Sequence, residues 1–182
     1  ITDARINEEL RPRGVDWITA LRAPTIRNLM KDEGPLQLSL FDEQDLAEIY
    51  SPDFPGERLV ACRNPLLADD RARKREELLQ ATEEKLAKVR ARVVRQGRPL
   101  RGEDAIGVAV GKVLGASKVA KHFSYEITDE TFTFERKEDS IRAEGALDGI
   151  YVIRTNVPEA ELEAEEVVRA YKDLSEVEKS FR

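Results

Sequence analysis

The strongest structural pattern in this 182-residue chain is a long amphipathic helix. From residue 67 to about residue 95, apolar side chains recur at sevens, at Ala72, Leu79, Leu86 and Val93, with charged residues elsewhere. Apolar residues at this spacing share one face of a helix. The sequence QGRPLRG then ends the pattern, because glycine and proline interrupt helices. The pattern therefore predicts one long helix that buries a single face.

Strand patterns precede and follow this helix. Alternating apolar residues predict a strand in VDWITALR, a hairpin from about residue 46 to 64, and a second hairpin of FSYEI and TFTFER. DGIYVIRTN begins with an Asp-Gly turn and predicts another strand, and LQLSLF is also compatible with one. Shorter helices are predicted in ITDARINEELRPRG, PTIRNLMKDEG, EDAIGVAVGKVLGASKVAKHF and KEDSIRAEGAL, and from about Glu159 or Glu161 to the end. The mixture predicts an α+β fold.

The composition limits the class of protein. Charged residues make up 36% and hydrophobic residues 41%, which fits a soluble globular protein. No apolar run approaches the ~20 residues that a membrane span needs. A single cysteine, Cys62, excludes an internal disulfide and indicates a reducing compartment; its position in an apolar strand favours a packing role over a catalytic thiol. The sequence lacks an initiator Met, so we expect a piece of a longer protein.

Positive charge is concentrated in and around the long helix, although the net charge is −6. The basic residues of this region are Arg71, Arg73, Lys74, Arg75, Lys85, Lys88, Arg90, Arg92, Arg95, Arg98 and Arg101. A local basic surface can contact a phosphate backbone despite an acidic total. Arg90, Arg92 and Arg95 are our candidates for such contacts. The alternative is a solvated helix face whose cations are interleaved with glutamates.

The last predicted helix has a carboxylate within its apolar stripe. The apolar residues of this stripe are Val167, Tyr171, Leu174 and Phe181. At about 100° per residue, Glu178 lies roughly 20° from Tyr171 and roughly 40° from Leu174. An unpaired buried carboxylate is costly, so it must be paired, protonated or bound to a metal. The pattern leaves two interpretations open: a salt bridge, for example with Arg182 or Arg154, and a functional carboxylate.

Three other features have structural explanations. His122 has no second His or Cys at ligand spacing, so a zinc site is not expected, and we place His122 at a helix end. Asp148 precedes a glycine, and this turn signal outweighs a catalytic role. Gly107, Gly111 and Gly115 lack the spacing of a phosphate-binding loop and predict close packing of a helix.

Several stretches of the chain resemble bacterial insertion-sequence transposases of the DDE type. The C-terminal stretches are DGIYVIRTN and VVRAYKDLSEVEKSFR. The upstream stretches are ITDARINEELRPRGVDWITALRAPTIRNL and SLFDEQDLAEIYSPDFPGERLVACRNPLLADDRARKREELL. The resemblance therefore covers almost the whole chain. It implies an RNase H-like core, in which two aspartates and one glutamate hold two divalent metal ions.

The resemblance also assigns individual residues. The family signature is Tyr-x2-Arg-x3-Glu-x6-Lys, in which Glu178 matches the catalytic, metal-binding glutamate. Tyr171 matches the tyrosine and is a further candidate for a DNA contact. Leu174 stands in place of the arginine, which removes one expected DNA contact, and the lysine falls beyond Arg182. Both catalytic aspartates are expected before Ile1. Residues 1–145 are then mostly the insertion between the second aspartate and the glutamate, and residues 146–182 are the C-terminal part of the core.

The function implied by this resemblance is the cutting and joining of DNA at transposon ends. Two Mg²⁺ (or Mn²⁺) ions promote phosphoryl transfer in such an enzyme. The implied partner is double-stranded DNA, bound by a homodimer in the bacterial cytoplasm at the nucleoid, with no membrane involved. With one carboxylate of three, we expect this chain to be inactive alone. The alternative is a non-catalytic DNA-binding or protein-interaction domain left from a decayed mobile element.

Overall fold

The computed structural model describes residues 2–31 and 34–180, with the backbone alone for residues 175–180. The helices are α1 (Asp3–Arg5), α2 (Ala23–Leu29), α3 (Pro65–Val94), α4 (Glu103–Gly115), α5 (Glu138–Gly145) and α6 (Ala164–Ser180). The strands are β1 (Ile18–Ala20), β2 (Leu46–Ile49), β3 (Arg58–Arg63), β4 (Phe123–Ile127), β5 (Phe132–Arg136) and β6 (Ile150–Thr155). The α+β class is confirmed. None of the helices in the described part is long and apolar enough to cross a membrane.

Short helical turns extend several of these elements. After α1 the chain continues through a π-helical turn, Ile6–Leu10, and a 3-10 turn, Arg11–Arg13. This segment ends at Gly14, whose φ of 63° suits a residue without a side chain. The helix therefore ends where Pro12 and Gly14 predict.

The chain divides into two compact units. Unit 1 comprises Ile1–Leu66 and Gly149–Arg182, and unit 2 comprises Leu67–Asp148. The sequence-based division into residues 1–145 and 146–182 differs from this one on the N-terminal side. The reason is strand pairing at long range, because β1 and β3 both pair with β6 and so bring the first 66 residues into one unit with the C-terminal segment.

Unit 1 contains a four-stranded antiparallel sheet in the order β1-β6-β3-β2. The predicted hairpin of β2 and β3 is present, with Leu46 opposite Cys62. On one face of the sheet, α6 packs through Val167 and Val168 against Val60 and Ile153. Because side chains alternate along a strand, Arg154 belongs to the opposite face.

Unit 2 consists of two helices, a β-hairpin and the short helix α5. The predicted hairpin forms from β4 and β5, with Tyr125 opposite Phe134. The core contains the helix residues Leu79, Leu86, Val89, Val93, Ile106 and Val110, together with Val119, Phe123 and Phe132. Three of the four residues at the predicted heptad positions of α3 are thus buried, while Ala72 is exposed because the cluster begins at Leu79. The prediction of one long helix is confirmed.

Two predicted elements differ from the structure. In LQLSLF the alternation suggests a strand, but Leu38–Phe41 forms a 3-10 turn in which Phe41 is buried and Leu38 and Leu40 are exposed. The last helix begins at Ala164 rather than at Glu159 or Glu161, because the backbone N–H groups of Glu161 and Leu162 first form a turn on the carbonyl of Pro158. Both cases are local hydrogen-bonded turns that the apolar pattern does not encode.

Candidate functional site

A capping hydrogen bond and two buried valines hold the start of α6 in place. The Glu166 carboxylate accepts a hydrogen bond of 3.1 Å from the backbone N–H of Glu163, as the third residue of a capping box does. One residue further on, Val167 is fully buried in the sheet cluster and Val168 nearly so. This arrangement holds the first turns of α6 against the sheet.

The predicted apolar stripe is buried for only part of α6. Tyr171 is half-buried and packs against the same cluster, but Leu174 is 52% exposed, so the prediction that Leu174 faces the core is wrong. The physical reason is length, because 17 residues of helix span about 25 Å. The strands of unit 1 have three to six residues and span at most about 20 Å. The C-terminal part of α6 therefore extends past the cluster that buries its start.

Glu178 lies in this extended part. Its backbone belongs to α6, and its side chain lies outside the described residues. One of the two salt-bridge partners suggested by the sequence is already engaged, because Arg154 donates from Nε and Nη2 to Glu57 and from Nη1 to Asp3. The other suggested partner, Arg182, is also outside the described residues. Arg154 thus has two carboxylate partners among the described residues, and the role of Glu178 stays a prediction.

Asp148 and His122, for which the sequence favours structural roles, both form side-chain hydrogen bonds within unit 2. Asp148 accepts two hydrogen bonds from the Arg75 guanidinium, at 3.0 and 2.5 Å, and each side chain of this pair is 12% exposed. His122 ends the 3-10 turn Ala120–His122 and is fully buried, with Nδ1 2.9 Å from the Ser140 hydroxyl and Nε2 3.1 Å from the Glu144 carboxylate. These contacts give both residues a role in joining elements.

Cys62 has the properties of a packing residue. Its side chain is buried in β3, and burial raises the pKa of the thiol to about 11, despite a hydrogen bond with Tyr151 that lowers it. At neutral pH the thiol is therefore protonated and a poor nucleophile. Among the described residues, no group of three or more His, Cys, Asp and Glu side chains is placed to hold a metal ion.

The three predicted DNA-contacting arginines do not share one face. Arg92 is exposed on α3, and Arg95 follows the helix end, where its Nε donates to the carbonyl of Arg98 at 2.8 Å. At about 100° per residue, these two lie about 60° apart around the helix axis. Arg90 points elsewhere, because its guanidinium lies over the Phe134 ring at 5.2 Å. Arg90 thus packs on the hairpin of unit 2.

Lys85 and Lys88 share the face of Arg92 and Arg95, in addition to the arginines predicted from the sequence. We call Lys85, Lys88, Arg92 and Arg95 the basic stripe. Their spacings of three, four and three residues place them within about 80° around the axis. A signal for them exists in the sequence, because no acidic residue occurs between Lys85 and Gly102. The interleaved glutamates of the alternative interpretation occur only earlier in α3.

No protein-family model matches the chain, and no similar curated protein or solved structure was found.

Proposed function

We propose that the chain is part of a DDE transposase, in which Glu178 is one of the carboxylates that bind the catalytic metal ions. The support from sequence is the resemblance, with Tyr171 and Glu178 at the signature spacing of seven residues. The intact enzyme would cut and join DNA at transposon ends, act as a homodimer on double-stranded DNA, and work in the bacterial cytoplasm at the nucleoid. Its core would have the RNase H-like fold.

The observation on which this proposal most depends is the way unit 2 is inserted into unit 1. Unit 2 leaves the sheet after β3 and returns just before β6, two strands that are direct neighbours. Arg63 pairs with Ile150, and the backbone N–H of Asn64 donates to the carbonyl of Gly149 at 2.9 Å. Adjacent ends allow a domain to be inserted without disturbing the host sheet. The resemblance also implies an insertion ahead of the glutamate helix, although over residues 1–145 rather than over Leu67–Asp148.

The proposed chemistry places one requirement on this chain. A glutamate supplies hard oxygen ligands, which Mg²⁺ and Mn²⁺ prefer. Bound metal ions would activate the attacking oxygen and stabilise the leaving oxygen of a phosphoryl transfer. In the proposed enzyme, the two aspartates that the resemblance implies would complete the site together with Glu178. The role of this chain is therefore to deliver Glu178 on a helix anchored to the sheet through Val167 and Val168.

The test is a pair of substitutions in the intact transposase. Glu178→Gln should reduce Mg²⁺-dependent cleavage of transposon ends at least a hundredfold. Binding of the ends in a gel-shift assay should be retained, because phosphate contacts do not require the metal. Glu165→Gln is the matched control, since Glu165 is exposed in the first turn of the same helix. Cleavage that survives Glu178→Gln would contradict the assignment.

A second experiment uses the 182-residue chain itself. We expect no Mg²⁺-dependent nicking of plasmid DNA, because one carboxylate cannot form a two-metal site. Nicking by the pure chain that is lost in Glu178→Gln would show that the chain is complete as a nuclease.

The alternative function, a non-catalytic DNA-binding or protein-interaction domain, is favoured by the basic stripe. It predicts that binding occurs without cleavage even in the longest natural form of the protein.

A further inference from the structure

Charge is segregated along α3 and the loop that follows it. The helix up to Glu84 contains both acidic and basic residues, and several of them pair with one another, as Arg73 does with Asp70 and Glu77. From Lys85 to Gly102 the chain has seven basic residues and no acidic one. A protein with a net charge of −6 thus has a region of uniform positive charge. Such a region repels itself and attracts polyanions.

The basic residues of this region fall into two groups according to their contacts. Arg90 and Arg101 are used internally: Arg90 covers Phe134, and Arg101 Nη1 donates at 2.5 Å to the carbonyl of Val93 near the end of α3. The residues of the basic stripe are also exposed, and of these Arg95 donates from Nε to the carbonyl of Arg98 at 2.8 Å. Among the described residues, no hydrogen bond or ion pair joins the side chain of Lys85, Lys88 or Arg92 to another residue.

The stripe is straight and regular. At a rise of about 1.5 Å per residue, Lys85 and Arg92 lie about 10 Å apart along the axis of α3, with Lys88 between them, and Arg95 follows directly after the helix end. The next residue on the same face is Ala81, which is small and exposed. Glu84 borders the stripe one turn before Lys88, and no ion pair joins these two side chains in the described structure. The stripe therefore offers four cations, of which Lys85, Lys88 and Arg92 have no side-chain partner among the described residues and Arg95 donates only to the carbonyl of Arg98.

We infer that the basic stripe is a binding surface for the phosphate backbone of duplex DNA, contacted without regard to base sequence. Long flexible cations suit this role, because Lys and Arg contacts to phosphate supply most of the non-specific affinity for DNA. No aromatic side chain lies on the stripe, whereas single-stranded nucleic acid is held by stacking on aromatics. A membrane-surface helix would need bulky apolar residues along its lower face, and the face opposite the stripe is not free, since Arg90 packs there on Phe134.

This inference deepens the proposed function, because it assigns a DNA contact to the inserted unit of the proposed transposase. It also differs from the sequence-based choice of residues, since Lys85 and Lys88 replace Arg90. Binding to the stripe involves neither Glu178 nor a metal ion. If the stripe does not bind DNA, the assignment of Glu178 as a metal ligand is unaffected. If Glu178 is not a metal ligand, the proposed DNA binding by the stripe is unaffected.

The test measures how the affinity of the 182-residue chain for a fluorescent duplex of random sequence depends on NaCl. We expect weak binding whose log-log salt slope corresponds to about −0.9 per phosphate neutralised. Changing all four stripe residues to Gln should weaken binding at least tenfold at low salt and flatten the slope by about 3.6. Glutamine keeps a good helix propensity, and the exposed positions make no core contacts, so the fold should be unaffected.

The matched control removes the same charge elsewhere in unit 2. Arg71, Lys112, Lys118 and Lys137 are exposed cations off the stripe, and changing these four to Gln lowers the net charge by the same amount. We expect this control to keep most of the slope. An unchanged slope in the stripe variant, or an equal loss in both variants, would overturn the inference. Tighter binding to single strands or to anionic vesicles than to duplex would also overturn it.

Single substitutions keep the test valid if the fourfold variant is poorly folded. Lys88→Gln and Arg92→Gln should each flatten the slope by about 0.9, while Arg90→Gln should leave it unchanged. A slope that responds to Arg90 and not to Lys88 would place the DNA on the hairpin side of the helix and refute the inference.

Discussion

The ion pair of Glu57 and Arg154 in unit 1 provides the sharpest test of how this fold is held together. The Glu57 carboxylate accepts hydrogen bonds from Nε and Nη2 of Arg154, at 2.5 and 2.7 Å. The side chains are 2% and 8% exposed, respectively. Arg11 donates a further bond of 2.9 Å to the same carboxylate. Because Arg154 is on β6 and Glu57 precedes β3, the pair joins chain segments that are 97 residues apart.

Glu57→Gln removes the charge of this pair and nearly preserves its shape. Breaking a buried ion pair on one side costs about 3–5 kcal/mol, because the remaining charge is left without compensation. The amide oxygen of glutamine still accepts one hydrogen bond, and Asp3 still contacts Nη1 of Arg154. We therefore expect a loss of about 3 kcal/mol in the free energy of unfolding of unit 1.

The assay uses the single tryptophan of the chain. Trp17 is buried in unit 1, and its backbone N–H donates to Asn156 at the end of β6, so its fluorescence reports the unfolding of this unit. Urea midpoints would be compared for the wild type, for Glu57→Gln and for Glu9→Gln. Glu9 forms an exposed ion pair with Arg5, so Glu9→Gln should lower the free energy of unfolding by at most about 0.5 kcal/mol.

The double variant Glu57→Gln/Arg154→Met separates the pair energy from packing. Replacing both charges by groups of similar volume should recover much of the loss, since the charge without compensation is then removed. The reasoning would be refuted if Glu57→Gln lowered the free energy of unfolding by less than about 1 kcal/mol. It would also be refuted if the double variant lost more stability than the two single variants lose together.

Two further predictions concern unit 2. Leu86→Ala creates a cavity beside Val89 and should lower the free energy of unfolding by about 3 kcal/mol, measured by far-UV circular dichroism in urea. The control Val108→Ala, at an exposed site, should change it by no more than about 0.5 kcal/mol. Burial alone would raise the pKa of Glu144, but Lys121 and His122 outweigh it and hold the pKa below the ordinary value of 4.5. This stabilisation is present above pH 4.5 and is lost as the pH falls through the folded-state pKa. The urea midpoint should thus fall less on acidification in Glu144→Gln than in the wild type, and a parallel fall would contradict the pairing.

The sequence predicted those elements in which one periodicity extends over many residues. The heptad spacing of Leu79, Leu86 and Val93 was sufficient for α3, because each of these residues is buried against the same cluster. The hairpins were also predictable, since turn residues and alternation agree in both. The 3-10 turn Leu38–Phe41 was not, because its leucines alternate as in a strand although they are exposed.

Long-range pairing could not be predicted from a single sequence. DGIYVIRTN shows that β6 is a strand, but nothing in it identifies β3 as its neighbour, with 86 residues between Arg63 and Ile150. The same limit applied to the site residues. Only the structure shows that Arg154 is engaged by Glu57 and Asp3, and that Arg90 packs on Phe134.

The residues of the two proposals lie in different units, and this separation has an experimental consequence. Glu178 belongs to α6 in unit 1, and the basic stripe belongs to α3 and the residue directly after it in unit 2. Substitutions in the stripe should therefore change DNA affinity while the Trp17 signal of unit 1 keeps its urea midpoint. Conversely, Glu57→Gln should lower that midpoint while the salt slope of the remaining folded protein stays the same. If both substitutions changed both measurements together, the two units would fold and bind as one, and the affinity for DNA would depend on more than the four cations.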